Sequence, residues 1–267
     1  MIEEARGQGV QVLLFPEMSL TGHSAGPMTP TVALRRNDEP ILRLAEASGP
    51  MTTVFGVIEE GHATQFYNSA FAVRDGAVRF IHRKLSLATY GLLDDGKHFG
   101  PGRRVDTFNI ASPDDPWRAG LLICNDLWNP ALVHLAALHG ATLLLAPVSS
   151  AVEAVGAEFD NPGGWAINVR FHAMTYGIPV IMANRCGSEG ELNFWGGSRI
   201  VDPFGRTLAE AAGATPQLVV ADLDYARVRT ARYLLPTVRD GGLDLLTREV
   251  RRLANLIDSD ADKRSDK

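Results

Sequence analysis

Apolar residues in this chain fall into short runs closed by turn-forming residues, a pattern that predicts strands and helices in alternation. Val10–Phe15, stopped by Pro16, reads as a buried strand, as does Thr53–Ile58, and residues 40–47 carry a helical pattern. Asn68–Arg74 and Ala77–Lys84 flank Asp75-Gly76, the signature of a hairpin. Leu121–Cys124 predicts a strand that gives way, past Pro130, to a helix over Ala131–His139 closed by Gly140. A strand over Thr142–Ala146, a helix over 164–176 ended by Gly177, and a strand over Ile178–Ala183 follow. Ser198–Val201 and Thr207–Glu210 bracket the turn Asp202-Pro-Phe-Gly205 as a second hairpin. Gln217–Asp222 predicts a final strand and Asp224 to about Tyr233 a helix. Leu243, Leu246, Val250, Leu253 and Ile257 form one face of a last helix, and the polar residues 258–267 predict a disordered tail.

No repeat, low-complexity block or linker interrupts the pattern, so 1–257 is expected to be a single domain. Strands that are apolar throughout must be covered on both faces. Mixed with hairpins, they imply an α/β protein with parallel and antiparallel pairs, built as stacked sheets between helices. The length of 267 residues, with 45% hydrophobic and 21% charged residues, suits an ordinary globular protein with a large core. A net charge of −5 leaves no electrostatic footprint for nucleic acid or an anionic membrane. No apolar stretch nears a membrane span, the N-terminus lacks a signal-peptide core, and two cysteines make no disulfide scaffold. These features predict a cytoplasmic protein with no membrane partner.

Three chemically complementary residues share one placement. Glu17, Lys84 and Cys124 each follow an apolar strand, where sheet proteins gather their sites. A thiol is mostly inert at neutral pH, and a nearby ammonium or helix N-terminus stabilises its thiolate. Lys84 is suited to supply that charge, and the helix near Ala131 the dipole. Glu17 is placed to take the thiol proton, pass it to a departing amine, and later activate water. Lys84 and the backbone N–H of Asn125 are suited to receive the oxyanion. The chemistry so assembled is cleavage of a carbon–nitrogen bond through a thioester, and it needs no metal or cofactor.

Seven segments in order carry a resemblance to the nitrilase, or carbon-nitrogen hydrolase, superfamily. They are Leu14–Gly22, Tyr67–Ser69, His82–Leu87, Gly120–Asp126, Gly140–Pro147, Ala183–Gly187 and Gly196–Gly205. The likeness runs from residue 1 to about 235. It implies a four-layer αββα sandwich, catalytic roles for Glu17, Lys84 and Cys124, and a homodimer or larger homo-oligomer built through helices near the site. Ile123–Trp128 looks like the cysteine segment of the glutamine-hydrolysing domains of NAD synthetases.

Two departures from the family pattern stand out. Relatives begin with a strand and most of a helix ahead of the glutamate motif, whereas this sequence opens inside that helix, so the first strand is apparently missing. A start codon assigned too late is the favoured explanation; a true truncation would leave unpaired backbone and a gap in the core. A second glutamate that many relatives carry after the lysine falls here on Asp95, one methylene shorter, so that the site must shift or a water must bridge.

Trp128 and Trp195 are candidate pocket-lining residues. Cys186 reads as packing, His82 as a hydrogen-bonding partner within the sheet, and Asp126 as a turn-holding residue. His134 and His139 lie five apart and do not share a helical face as zinc ligands would. The leading expectation is a hydrolase acting on a small amide or carbamoyl compound. Its rivals are acyl transfer to an amine and a catalytically silent binding protein of the same fold.

Overall fold

The computed structural model describes residues 1–156 and 158–265, with side chains described to residue 257. The chain runs through α1 (Ile2–Gly7), β1 (Val12–Leu14), α2 (Thr29–Val32), α3 (Glu39–Ser48), β2 (Thr52–Glu60), β3 (Phe66–Arg74), β4 (Ala77–Arg83), α4 (Asp95–His98), β5 (Thr107–Asn109) and β6 (Arg118–Leu121). It continues through α5 (Pro130–Leu138), β7 (Leu143–Val148), α6 (Asn161–Tyr176), β8 (Val180–Asn184), β9 (Cys186–Glu189), β10 (Leu192–Trp195), β11 (Arg199–Val201), β12 (Thr207–Glu210), α7 (Tyr225–Leu234) and α8 (Leu243–Ser265).

Two sheets carry the architecture. The first has the order β1-β2-β3-β4, with β1 parallel to β2 and the rest antiparallel. The second has the order β12-β11-β8-β7-β6-β5, in which β6, β7 and β8 run parallel. Alternation along β2 and β3 explains the layering. Val54, Ala70 and Ala72 join the core shared with Leu144 and Leu145 of the second sheet. Phe55, Val57, Phe71 and Val73 turn to the opposite face and pack on Ile41 and Ala45 of α3. Val169 and Ala173 of α6 cover the far side of the second sheet. The expected αββα sandwich with mixed sheets is therefore present, and both faces of its strands are buried, as their uninterrupted apolar runs require.

The hairpin at Asp75-Gly76 has both residues at positive φ, +48° and +68°, as a tight turn matched to strand twist demands. At the second hairpin, Asp202 Oδ1 accepts from the N–H groups of Phe204 and Arg206, each at 2.9 Å. No helix among the described residues is long and apolar enough to cross a membrane.

Three expectations are corrected. Gln217–Asp222 is not a strand: it pairs with no strand among the described residues, and a strand exists only through its partner. The strand predicted to end at Cys124 stops at Leu121, and Cys124 opens a 3-10 turn over Cys124–Trp128. The main chain leaves the ladder because the N–H of Ile123 turns to the carboxylate of Asp126 at 3.0 Å. Finally, α8 runs on to Ser265, through part of the expected tail. Residues 258–265 are polar but hold no glycine or proline to stop a helix already nucleated. Residues 266–267 of that tail lie outside the described residues.

Candidate active site

Glu17, Lys84 and Cys124 reach one buried point from three directions. Glu17 lies three residues past the end of β1, Lys84 directly follows β4, and Cys124 lies three residues past β6. Lys84 is placed by its backbone, since its N–H donates to the carbonyl of Asn68 at 2.8 Å. Its Nζ donates to Glu17 Oε1 at 2.7 Å and to Asp95 Oδ2 at 2.6 Å, with all three side chains almost wholly buried. Glu17 is satisfied on every side. Asn68 Nδ2 donates to Oε1 at 2.7 Å, the N–H of Ser149 to Oε2 at 2.9 Å, and Ser149 Oγ to its carbonyl at 2.8 Å.

The expected shift or bridging water at Asp95 is not needed. The four-residue helix α4 brings that carboxylate directly onto Lys84, and the N–H of Ala88 fixes it at 3.1 Å. Asp94, the neighbour, faces outward to His98 instead.

Cys124 sits at φ +46°, in the left-handed region that a β-carbon disfavours. Such strain at a turn after a strand lifts the side chain out of the sheet and frees the next amide. The N–H of Asn125 indeed has no partner among the described residues, while its side chain is tied down. Asn125 Oδ1 accepts from the Tyr90 hydroxyl at 2.9 Å, and Nδ2 donates to the Ser86 carbonyl at 3.1 Å.

Electrostatics corrects one expectation. Burial pushes the Cys124 thiol well above its ordinary 9.0, and the negative charge of the Glu17 carboxylate adds to the rise; Lys84 opposes it without prevailing. Cys124 thus rests as a neutral thiol, not the lysine-stabilised thiolate expected from residue types alone. The reason is burial, which disfavours the thiolate more than the nearby ammonium of Lys84 favours it. Burial disfavours that ammonium as well, yet Glu17 and Asp95 hold it well above the ordinary 10.5. Burial likewise opposes ionisation of Glu17, but the Lys84 ammonium, His23 and the hydrogen bonds outweigh it and keep the carboxyl below 4.5. Burial of the Tyr90 hydroxyl, with the sulfur of Cys124 nearby, pushes its pKa up to about 12.

Asp126 does more than hold its own turn. Its Oδ1 accepts from the N–H groups of Leu85 and Ser86, at 2.9 and 2.7 Å, and its Oδ2 meets Ile123 N and His82 Nε2. One buried carboxylate therefore joins the residues after Lys84 to the residue before Cys124. His82 takes part in this bracing, as a hydrogen-bonding partner across the two sheets.

Trp128 stands half-exposed at the end of the cysteine turn, edge-on to Trp165 and Phe159. Trp165 in turn donates to Ser150 Oγ at 3.0 Å, beside the serine that holds Glu17. Trp195 is not brought to the trio: it lies on β10 across from Cys186 and packs against the main core. Residue types alone missed Asn68 and Ser149. The placement just past β7 that singled out the trio also marks Ser149, whereas Asn68, on an inward-facing position of β3, gave only the Tyr67–Ser69 likeness as a signal.

Residues 1–233 match the family model described as carbon-nitrogen hydrolase. The glutamine-dependent NAD(+) synthetase of Thermotoga maritima is 27% identical over 90% of this chain, but the chain spans only 43% of that protein. N-carbamoylputrescine amidase of Arabidopsis thaliana is 24% identical, with 92% of this chain and 86% of the relative covered. Among solved structures, a glutamate-to-leucine mutant of the amidase of Nesterenkonia sp. AN1 superposes with a TM-score of 0.73 at 28% identity, covering 92% of this chain and 87% of that one. In that structure the acetamide moiety of fluoroacetamide is covalently added at the active-site cysteine. A match over most of its length, together with the sandwich fold and these relatives, makes this chain a member of the carbon-nitrogen hydrolase family.

Proposed function

We propose that the protein hydrolyses the carbon–nitrogen bond of a small amide or carbamoyl compound, with Cys124 as nucleophile, Glu17 as general acid and base, and Lys84 as electrophilic partner. The observation that carries this reading is the buried Glu17 carboxylate held on the Lys84 ammonium at 2.7 Å, with the thiol of Cys124 within the electrostatic reach of both. As Sγ bonds to the carbonyl carbon, Glu17 accepts the thiol proton, and the carbonyl oxygen becomes an oxyanion. The Lys84 ammonium and the free N–H of Asn125 receive that charge; each such donor is worth about 10²–10³ in rate. Glu17 then protonates the departing nitrogen as the tetrahedral intermediate collapses to a thioester. A water molecule gives its proton to Glu17 as it attacks the thioester, and the same proton returns to sulfur when the acid leaves. Asp95 acts through Lys84, keeping it charged and aimed.

The proposal takes an amide rather than a nitrile as substrate; relatives named as amidases match along most of both chains, as does one named as a probable nitrilase. Ammonia release from a panel of small primary amides and N-carbamoyl amines tests the reading. Release is expected with the native protein and is expected to vanish in Cys124→Ala. Equal release by both proteins would remove Cys124 from the chemistry.

We also propose that the protein self-associates. Along α8, Leu243, Leu246, Val250, Leu253 and Ile257 are all exposed, at spacings of three and four residues. A helix whose apolar seam faces water is poorly stable alone, and this spacing is that of a helix–helix contact. On α6, Ile167, Phe171 and Met174 make a second exposed seam. Light scattering coupled to gel filtration is expected to report a dimer or larger species that Leu246→Glu with Leu253→Glu disperses. A native monomer at micromolar concentration would refute self-association.

A further inference from the structure

The carbonyl of Leu127, in the turn that carries Cys124, is denied both of its local partners. A 3-10 continuation would offer it the N–H of residue 130, and an α-helical one that of residue 131. Residue 130 is proline, which has no N–H, and the N–H of Ala131 donates instead to Asn129 Oδ1 at 3.1 Å. Leu127 is wholly buried, so its carbonyl has to be met from elsewhere in the fold.

It is met from α6. Asn168 Nδ2 donates to it at 3.1 Å and His172 Nε2 at 2.9 Å. The two side chains lie one helical turn apart on the inner face of α6 and are themselves buried. A carbonyl only accepts, so His172 carries its proton on Nε2. Burial holds the pKa of the ring below the ordinary 6.5 and so keeps it neutral. The other polar atom of each side chain, Asn168 Oδ1 and His172 Nδ1, has no partner among the described residues. Each residue thus gives one donor to one carbonyl and leaves its remaining polar atom unpaired in the interior. Packing alone would not select that arrangement, because an apolar side chain would avoid the cost.

The clamp closes one end of a strained turn. At the other end the N–H of Ile123 is tied to Asp126, and Cys124 stands between the two ties at φ +46°. A residue with a β-carbon persists in that region only where its surroundings over-determine it. The side chain of Asp126 fixes the approach to Cys124 but not the exit, which α6 supplies. The same face of α6 reaches the rest of the site, since Trp165 donates to Ser150, next to the serine that holds Glu17. We propose that Asn168 and His172 are positioning residues for the nucleophile. By gripping the Leu127 carbonyl they keep Cys124 left-handed, so that Sγ and the N–H of Asn125 address the same substrate carbonyl. This inference rests on Cys124 being the nucleophile of the hydrolysis, and it goes beyond that reading by giving α6 a part in the chemistry.

Two measurements on the full chain, read side by side, keep failure of the clamp distinct from failure of the hydrolase reading. The first needs no catalysis. The chain has two cysteines, so a 13C,15N-cysteine label gives two sets of NMR signals, told apart by Cys186→Ser. The Cα shift of Cys124 is expected to move or broaden in His172→Leu and in Asn168→Leu. It is expected to keep its native value in His172→Gln, which retains a donor near the place of Nε2. The second measurement is hydrolysis of the amide the native protein cleaves best. There kcat is expected to fall at least tenfold in both leucine variants while KM stays within threefold, and to return to within threefold of native in His172→Gln. Thermal unfolding checks that each variant is folded; where a leucine variant is not, alanine at that position takes its place. Native kcat in both variants, a loss confined to KM, or an unmoved Cys124 signal overturns the proposal. So does His172→Gln impaired as deeply as His172→Leu, which would make the ring a matter of shape and not of its donor. If the native protein cleaves no amide, the hydrolase reading fails, and the cysteine signal alone decides the clamp.

Discussion

Lys84 and Cys124 are joined by a buried carboxylate that belongs to neither of them, whereas Glu17 hangs from a short edge strand. On the first side, Asp126 accepts from main-chain groups on both segments and so ties the residues after Lys84 to the residue before Cys124. On the second side, the Phe15 N–H and the Pro16 carbonyl still bond to β2, and the Glu17 side chain is then located by Ser149, Asn68 and Lys84. A catalytic side chain can thus be fixed from its own strand or from the side chains that meet it. The two modes fail differently, which makes the contrast testable.

The largest effect is expected at the loosely mounted carboxylate itself. Glu17→Gln removes the only base that meets the thiol and is expected to lower kcat/KM about 10²–10⁴-fold. The pH dependence carries the same signature. Because Glu17 is held below 4.5 in the folded protein, its ionised form contributes stability that is complete above pH 4.5 and is lost as pH falls through the lower folded value. Urea midpoints of the native protein should therefore fall more steeply below pH 4.5 than those of Glu17→Gln. Parallel curves would mean that the Glu17–Lys84 contact does not form in solution.

Next comes the brace. Asp126→Ala leaves three main-chain N–H groups without an acceptor and is expected to cost about 3–5 kcal/mol in urea unfolding. Val12→Ala, in the edge strand, is expected to cost about 1 kcal/mol. Equal losses at the two positions would erase the distinction between the halves.

A smaller but more specific effect concerns the sulfur. With a neutral thiol at rest, Cys124 should react with N-ethylmaleimide at pH 7.5 at least tenfold more slowly than the partly exposed Cys186. Fluoroacetamide, which can borrow Glu17 as a base, should reverse the preference. Rapid maleimide labelling of Cys124 would restore the thiolate picture. The smallest change is expected for Ser149→Ala, which loses one hydrogen bond to the Glu17 carbonyl and should cost about 1 kcal/mol.

Much of this molecule was legible as pattern. Apolar runs such as Leu143–Val148 announce strands covered on both faces, and Asp75-Gly76 announces its turn, because burial and backbone sterics act on neighbours in sequence. The trio was legible for the same reason: charged or nucleophilic residues just past apolar strands have few structural explanations in common. What escaped depends on distance in sequence. The pairing of Asp126 with the residues after Lys84 spans some forty positions, and no local pattern encodes it. The state of the thiol depends first on its burial in the folded site, which residue types do not reveal. Gln217–Asp222 shows the converse, a strand pattern whose expression waits on a partner.

The left-handed backbone at Cys124 bears on how this enzyme is best captured with its substrate. An alanine placed there keeps the β-carbon and therefore the torsional penalty, while surrendering the contacts of the sulfur that help to offset it. Glycine adopts φ +46° freely. Cys124→Gly should therefore be more stable than Cys124→Ala by about 1 kcal/mol in thermal unfolding, reversing the usual order at an ordinary position. It would also vacate a space the size of a thiomethyl group beside the free amide of Asn125, making the glycine form the better host for soaking intact amides.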